Sequence, residues 1–192
     1  MNTTVIAASP STNLTQWQID PAHSAAHFSV RHLLISNVRG EFTKLSGSAL
    51  INPADPAKSS VEITIQAASL NTREPQCDEH LRSADFFDVA NHPTLTFRSK
   101  RIEALGAENF KLTGDLTIRG VTKEVTFDVE GPTAPMKDPW GNVRAGVSAS
   151  AKINRKDFGV AWNALTETGG VVVGDEVKIT VEAELIQQAP VA

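Results

Sequence analysis

The chain has 192 residues, 41% of them hydrophobic and 21% charged, which is enough apolar material for one core and too much for a disordered chain. Its formal net charge is −4, and it lacks the basic stripe that nucleic acid or an anionic membrane surface would select. Its single cysteine, Cys77, excludes an intrachain disulfide and sits in no zinc-ligand spacing.

Residues 1–16 contain no Lys or Arg, and their longest apolar run, Val5 to Ala8, falls short of the roughly 7–15 residues of a secretory signal. The expectation is a cytoplasmic protein: a flexible tail over 1–16, one domain over 17–187 and a short tail over 188–192. No stretch approaches the roughly 18 continuous apolar residues of a membrane helix, so no integral membrane segment is expected.

Period-two alternation then dominates, which places one face of each strand inside. Phe28, Val30 and His32 share a face. A second strand is expected around Phe42 to Ile51. Val61, Ile63, Ile65 and Ala67 alternate with Glu62, Thr64 and Gln66. Leu95 and Phe97 are followed by Phe110, Leu112, Gly114, Leu116 and Ile118, and by Val125, Phe127 and Val129. Ala145, Val147, Ala149 and Ala151 form the next set, and Val177 to Leu185 the last. About eight short strands separated by Gly, Pro and Asn turns indicate an all-β sandwich or an antiparallel barrel, and closure would remove exposed edges. Asp78 to Ser83 breaks the alternation after Pro75 and reads as a short helix over one barrel end. Asn154 to Gly170 reads as a long loop, a place where function often lies.

Several inward positions are small: Ala67, Gly114, Ala145, Ala149, Ala151 and Ala183. In a barrel these leave space for an apolar ligand; in a flattened sandwich they would face one another instead. Under the first reading the walls are Phe28, Val30, His32, Ile63, Ile65, Ala67, Phe97, Leu112, Gly114, Leu116, Phe127 and Ala149. His80, Leu81 and Phe86, with Phe158 and Trp162 of the long loop, would contact the ligand near the ends.

Polar motifs carry a family resemblance. Trp17-Gln18-Ile19-Asp20-Pro21-Ala22-His23-Ser24, then Phe28-Ser29-Val30-Arg31-His32, Val38-Arg39-Gly40-Glu41-Phe42 and His80-Leu81-Arg82-Ser83-Ala84-Asp85-Phe86-Phe87-Asp88 stand in the order of the YceI-like, polyisoprenoid-binding family. Gly114 to Thr122 and Ile153 to Gly159 continue the match. The resemblance implies an eight-stranded, antiparallel, lipocalin-like β-barrel whose lumen takes an isoprenoid, an isoprenoid quinone or a fatty chain, for carriage, storage or sequestration. Many members are exported. Where the family carries a basic residue and Asp shortly before H-L-R, this chain has Cys77 before Asp78. The expected partner is a small apolar lipid, with no cofactor beyond that ligand, and a homodimer is left open. The alternatives are an enzyme acting on a lumen-bound lipid or quinone, and an empty structural or interaction barrel.

Chemistry-bearing residues are sparse. His23 and His27 would suit a metal on a helix, but four residues along a strand separate them by roughly 13 Å. Asp20, His23 and Ser24 are the residue types of a nucleophilic triad, yet they lie too close in sequence for a directed relay, and no G-x-S-x-G elbow is present. His32 and His80 are either orienting groups for a ligand head or ordinary polar groups near a barrel end. Trp140 and Trp162 suit a pocket mouth or simple loop packing. Asn154, Arg155 and Asp157 read as loop-stabilising residues. No catalytic residue and no metal site is nominated.

Overall fold

Alternating apolar side chains become strands here because pairing satisfies their backbone while one face is buried. The computed structural model describes residues 14–167 and 169–190. In chain order the strands begin with β1 (Thr15–Ile19), β2 (Ala25–His32), β3 (Ser36–Phe42), β4 (Leu45–Ile51), β5 (Ser60–Gln66) and the short β6 (Leu70–Asn71). Helix α1 (Pro75–Arg82) follows, then β7 (Thr94–Ala104), β8 (Asn109–Ile118), β9 (Val121–Glu130), β10 (Met136–Lys137), β11 (Val143–Asn154) and β12 (Val173–Gln187).

The ladder β1-β4-β5-β7-β8-β9-β11-β12 closes where β12 meets β1, giving an eight-stranded antiparallel barrel. β12 is the hub. One of its edges pairs with β11 from Glu176 to Ile186. The other is shared end to end, by β2 along Val173–Glu182 and by β1 along Leu185–Gln187. β2, β3 and β6 therefore form a flap that lengthens the barrel wall at the α1 end.

The D-P-A-H-S motif makes the bend between β1 and β2. Asp20 Oδ1 accepts the Ala22 N–H (3.0 Å), and Pro21 opens a 3-10 turn, where its fixed φ costs nothing. Ser24 Oγ then accepts the Glu184 N–H (2.9 Å), which covers the gap in the ladder where β12 changes partner. The V-x-G-x-F motif has an equally local reason. Gly40 stands opposite Phe28, and a Cβ at Gly40 would lie 2.4 Å from the Phe28 ring, so only glycine lets that ring lie across β3.

Several boundaries differ from expectation. β1 starts at Thr15, two residues inside the expected tail, while residues 1–13 lie outside the described residues. The single strand expected over Phe42 to Ile51 is two, broken at Thr43-Lys44. Phe42 and Leu45 are both buried, and a spacing of three cannot keep two side chains on one face of one strand. Ala67 leaves β5 for a 3-10 turn, Ala67–Ser69. The ring uses β1 in place of the Phe28–His32 strand, which belongs to the flap. α1 is present as expected and begins three residues early, with Pro75 in its first turn.

Candidate ligand cavity

The barrel encloses one cavity of about 1140 Å³ that runs from α1 to the opposite end. That lies just above the roughly 300–1,000 Å³ usual for small-molecule sites. Its walls come from the inward faces of the ring. On β12 these are Val177, Ile179, Val181, Ala183 and Leu185, and on β11 Ala145, Val147, Ala149 and Ile153. The lining is overwhelmingly apolar. Its charged side chains lie towards the ends: Arg31 and Arg155 near α1, and Glu108 in the β7–β8 hairpin. Such a space rejects ordered water, which needs two to four polar partners, and suits a hydrocarbon chain.

A β-bulge keeps β7 facing the lumen along its length. Leu95 and Phe97 point in, and the register then shifts between Ser99 and Arg101, so that Ile102 and Ala104 line the cavity in the other parity. Ser99 Oγ accepts the Val61 N–H (2.9 Å) beside the bulge.

Side chains from four segments gather at the α1 end and narrow it. The His80 ring sits edge-on to Trp162 (4.7 Å) and to Phe86 (5.0 Å), and its Nε2 lies 3.0 Å from Asp85 Oδ2. Phe42 meets Phe87 edge-on at 5.4 Å. The buried Asp78 carboxylate accepts the Thr72 N–H (2.7 Å) and hydroxyl (2.6 Å), tying α1 to β6. Asp78 thus serves Thr72, and among the described residues it makes no ion pair. Arg155 locks the loop after β11. It donates to the carbonyls of Val160 (2.7 Å), Trp162 (2.8 Å), Gly174 (2.8 Å) and Val173 (3.2 Å). Burial lowers the Arg155 pKa, and Asp175 at 3.7 Å opposes that shift.

A polar cluster lies outside the lumen. Arg144 donates to Asp20 (2.7 Å), to Asp138 (2.7 Å) and to Glu184, while His23 Nδ1 lies 2.8 Å from Asp20 Oδ2. The His23 hydrogen bond, then that from Arg144, holds the Asp20 carboxyl down at about 2. The same contact raises His23. Burial alone would raise Asp138, but hydrogen bonds from Arg144, Asn142 and Trp140 hold it well below the usual range. Asp20, His23 and Glu184 have the types and spacing of metal ligands, but the Arg144 guanidinium bonds both carboxylates and supplies the positive charge there. Ser24 Oγ accepts from the β12 backbone, His23 turns to Asp20 and His27 Nδ1 lies 3.8 Å from Glu41 Oε2.

Of the residues expected at the ligand, all line the cavity except Ala67 and Gly114. Ala67 is fully buried in its 3-10 turn. Gly114 faces inward but lies beneath the Phe97 ring, and a Cβ there would stand 2.6 Å from Phe97 Cζ and 2.4 Å from the Arg98 carbonyl. Its smallness admits the bulge and the ring and leaves no open space. Ala151 is likewise buried outside the lining. Trp140 is 82% exposed on the β10–β11 turn and has no part in the mouth, whereas Trp162 does line the cavity. Sequence reasoning missed the ends: Arg31, Gln76 and Cys77 near α1, and Pro53, Glu108 and Pro132 opposite. Pro53, Glu108 and Pro132 sit in irregular segments, where periodicity carries no signal, Gln76 and Cys77 sit in the first turn of α1, and Arg31 falls on the outward parity of β2.

A family model described as the YceI-like domain matches residues 17–185. A UPF0312 protein of Staphylococcus aureus is 36% identical over 171 residues, covering 89% of this chain and 97% of that protein. Among solved structures, Burkholderia cenocepacia BcnA is similar at TM-score 0.74 and 26% identity, over 86% of this chain and 98% of its own. The Campylobacter jejuni YCEI protein is similar at TM-score 0.69 and 35% identity, over 83% and 90%. A polyisoprenoid binding domain from Saccharophagus degradans, at 17% identity and TM-score 0.64 over 90% and 98%, shares the fold.

Proposed function

Because this chain belongs to the YceI-like family, we propose that it is a binding protein that holds one long-chain apolar lipid in the barrel lumen for carriage, storage or sequestration. The observation that carries this reading is the apolar cavity of about 1140 Å³ inside a closed ring. The ligand class is a polyisoprenoid, an isoprenoid quinone or a fatty-chain derivative, and the same architecture occurs in a protein described as a polyisoprenoid binding domain.

The energetics favour a long chain. Each buried methylene contributes about 0.8 kcal/mol, so ten to fifteen give roughly 8–12 kcal/mol before ordering costs. No catalytic group and no metal takes part in this reading. In this reading His32 and His80, with Arg31 and Gln76 beside them at the α1 end, would meet a head group.

The test is denaturing extraction of the purified protein with organic solvent, mass spectrometry of the extract, and titration of lipid-stripped protein with fluorescent isoprenoid and fatty-chain analogues. A long-chain lipid in the extract, and probe binding unchanged by chelator, are expected. An empty extract together with no binding of either probe would overturn the proposal.

A further inference from the structure

At the α1 end of the barrel, β2 and β3 are joined by the three-residue loop Leu33–Ile35, since His32 pairs with Ser36. Leu33 and Leu34 have φ of 52° and 59°, and the Ile35 N–H donates to the His32 carbonyl (3.1 Å). Positive φ at both central positions is the pattern of a type I′ hairpin turn, which strongly favours Asn-Gly. A branched aliphatic residue at either position is strained. The chain nevertheless carries Leu-Leu, followed by Ile35. Leu34 is 66% exposed and Ile35 81% exposed. Folding and solubility would both favour a polar, glycine-containing tip, so neither explains these three residues.

A second apolar tip stands beside the first. The Leu33 N–H donates to the Val172 carbonyl (2.8 Å), which fastens the hairpin to the loop before β12. That loop presents Leu165, 79% exposed and bridged to Val171. The residues next to both tips, Arg31 and His32 on one side and Val172 and Val173 on the other, line the cavity, as do Gln76 and Cys77 of α1 nearby. The exposed aliphatic ridge is therefore continuous with one mouth of the lumen.

We propose that Leu33, Leu34 and Ile35, with Leu165, dock this mouth onto the surface of an electrically neutral lipid bilayer, so that the cargo passes between membrane and lumen without crossing water. The proposal rests on the carrier reading, because a ligand that inserts a long chain into this cavity is itself a membrane constituent. Exposed apolar clusters mark membrane or protein contacts, and insertion strength scales with the apolar area buried. The tip Leu33–Ile35 itself carries no charge; Arg31 and His32 precede it, Glu167 lies two residues from Leu165, and the chain is net negative. These opposing charges give anionic lipid little net pull, so the apolar ridge is the driving force and docking depends little on salt.

The informative variant is Leu33→Asn/Leu34→Gly in the full chain, which relieves the turn while removing the ridge. Leu105→Asp, in the exposed β7–β8 hairpin at the other end, is the control. Three quantities are measured: thermal midpoint, binding of a fluorescent isoprenoid analogue supplied in solution, and its transfer rate from phosphatidylcholine vesicles at low and high salt. Flotation of ligand-free protein with the same vesicles scores docking alone. The double variant is expected to melt at or above the wild type and to bind the dissolved probe within about twofold, while taking it from vesicles about tenfold more slowly, equivalent to ~1.4 kcal/mol. Leu105→Asp is expected to behave as wild type. Equal transfer by wild type and double variant overturns docking, as does an equal loss in Leu105→Asp. Conversion of a wild-type dimer to a monomer by the double substitution also overturns it, since the ridge would then face a second copy. Wild type that floats with vesicles but binds no probe overturns the carrier reading and leaves docking standing.

Discussion

At Ala149 the side chain ends in the open lumen, whereas a Cβ at Gly114 would meet the Arg98 carbonyl at 2.4 Å. The two small residues therefore respond oppositely to added bulk. Ala149→Phe should fill ligand space, weakening lipid binding strongly while costing the stripped protein less than about 1 kcal/mol, because a cavity tolerates volume that a packed core does not. Gly114→Ala should overpack and cost about 1–3 kcal/mol. Ser148→Phe, outward on the same strand, should change neither property much. Denaturation midpoints of lipid-free proteins and titration with the fluorescent probe read all three, and loss of stability in Ala149→Phe with unchanged binding would place that residue in a packed core. Both Ala149 and Gly114 read as inward in the sequence, and alternation alone cannot tell them apart. What separates them is the bulge in β7, which brings the Arg98 carbonyl and the Phe97 ring over Gly114, and no local pattern announces it. His23 supports a pH prediction. Its folded pKa is raised by Asp20, so its contribution is full below about pH 6.5 and is lost as pH rises through the raised value. Asp20 behaves oppositely: its contribution is present above about pH 4 and is lost as pH falls towards 2. His23→Gln should therefore flatten the stability profile above about pH 6.5 and also weaken the acid limb, because the His23 hydrogen bond is the largest of the contacts that lower Asp20. Superimposable wild-type and variant profiles between about pH 6 and 9 would contradict this.

The elements that narrow the α1 end depend on side chains that serve backbone groups. Arg155 donates to two carbonyls of the loop after β11, Val160 and Trp162, and to two at the start of β12, Val173 and Gly174. Arg155→Met should remove these donors, leaving Val173 with the Asn163 amide, and cost about 2–4 kcal/mol by urea denaturation. Arg155→Lys should not rescue it, because an ammonium on a flexible stem cannot reproduce the planar fork. A loss below about 1 kcal/mol for either variant would mean that the loop finds its donors elsewhere. Reading the sequence assigned Asn154, Arg155 and Asp157 to loop support, and the Arg155 and Asn154 contacts agree with that, with Asn154 Oδ1 accepting the Lys156 N–H (2.9 Å). The strands with long alternation, β5, β8, β9, β11 and β12, were legible because five or more residues repeat one pattern. β1 was not found by alternation, since only Trp17 and Ile19 carry its pattern. The β3–β4 break was hidden because its turn, Thr43-Lys44, contains no Gly, Pro or Asn. The hairpin tip Leu33–Ile35 was silent for the same reason: apolar residues at a type I′ turn look like more strand.

At the scale of the whole molecule, period-two patterning led to two architectures, a sandwich whose small residues face one another and a barrel with space inside. Closure of β12 onto both β11 and β1 decides between them, and that contact joins residues about 170 apart in the chain, which no short window of sequence reports. Among the described residues no helix is long and apolar enough to cross a membrane. Function therefore rests on what fills the interior. The most direct measurement is native mass spectrometry of lipid-stripped protein mixed with an isoprenoid alcohol, with an isoprenoid quinone and with a fatty acid, each in excess. The account predicts a mass shift of one ligand per chain for at least one of these, abolished by Ala149→Phe and retained in Ser148→Phe. A protein that shows no adduct with any of them, or adducts of varying number that both variants retain equally, would contradict a lumen built to hold one lipid.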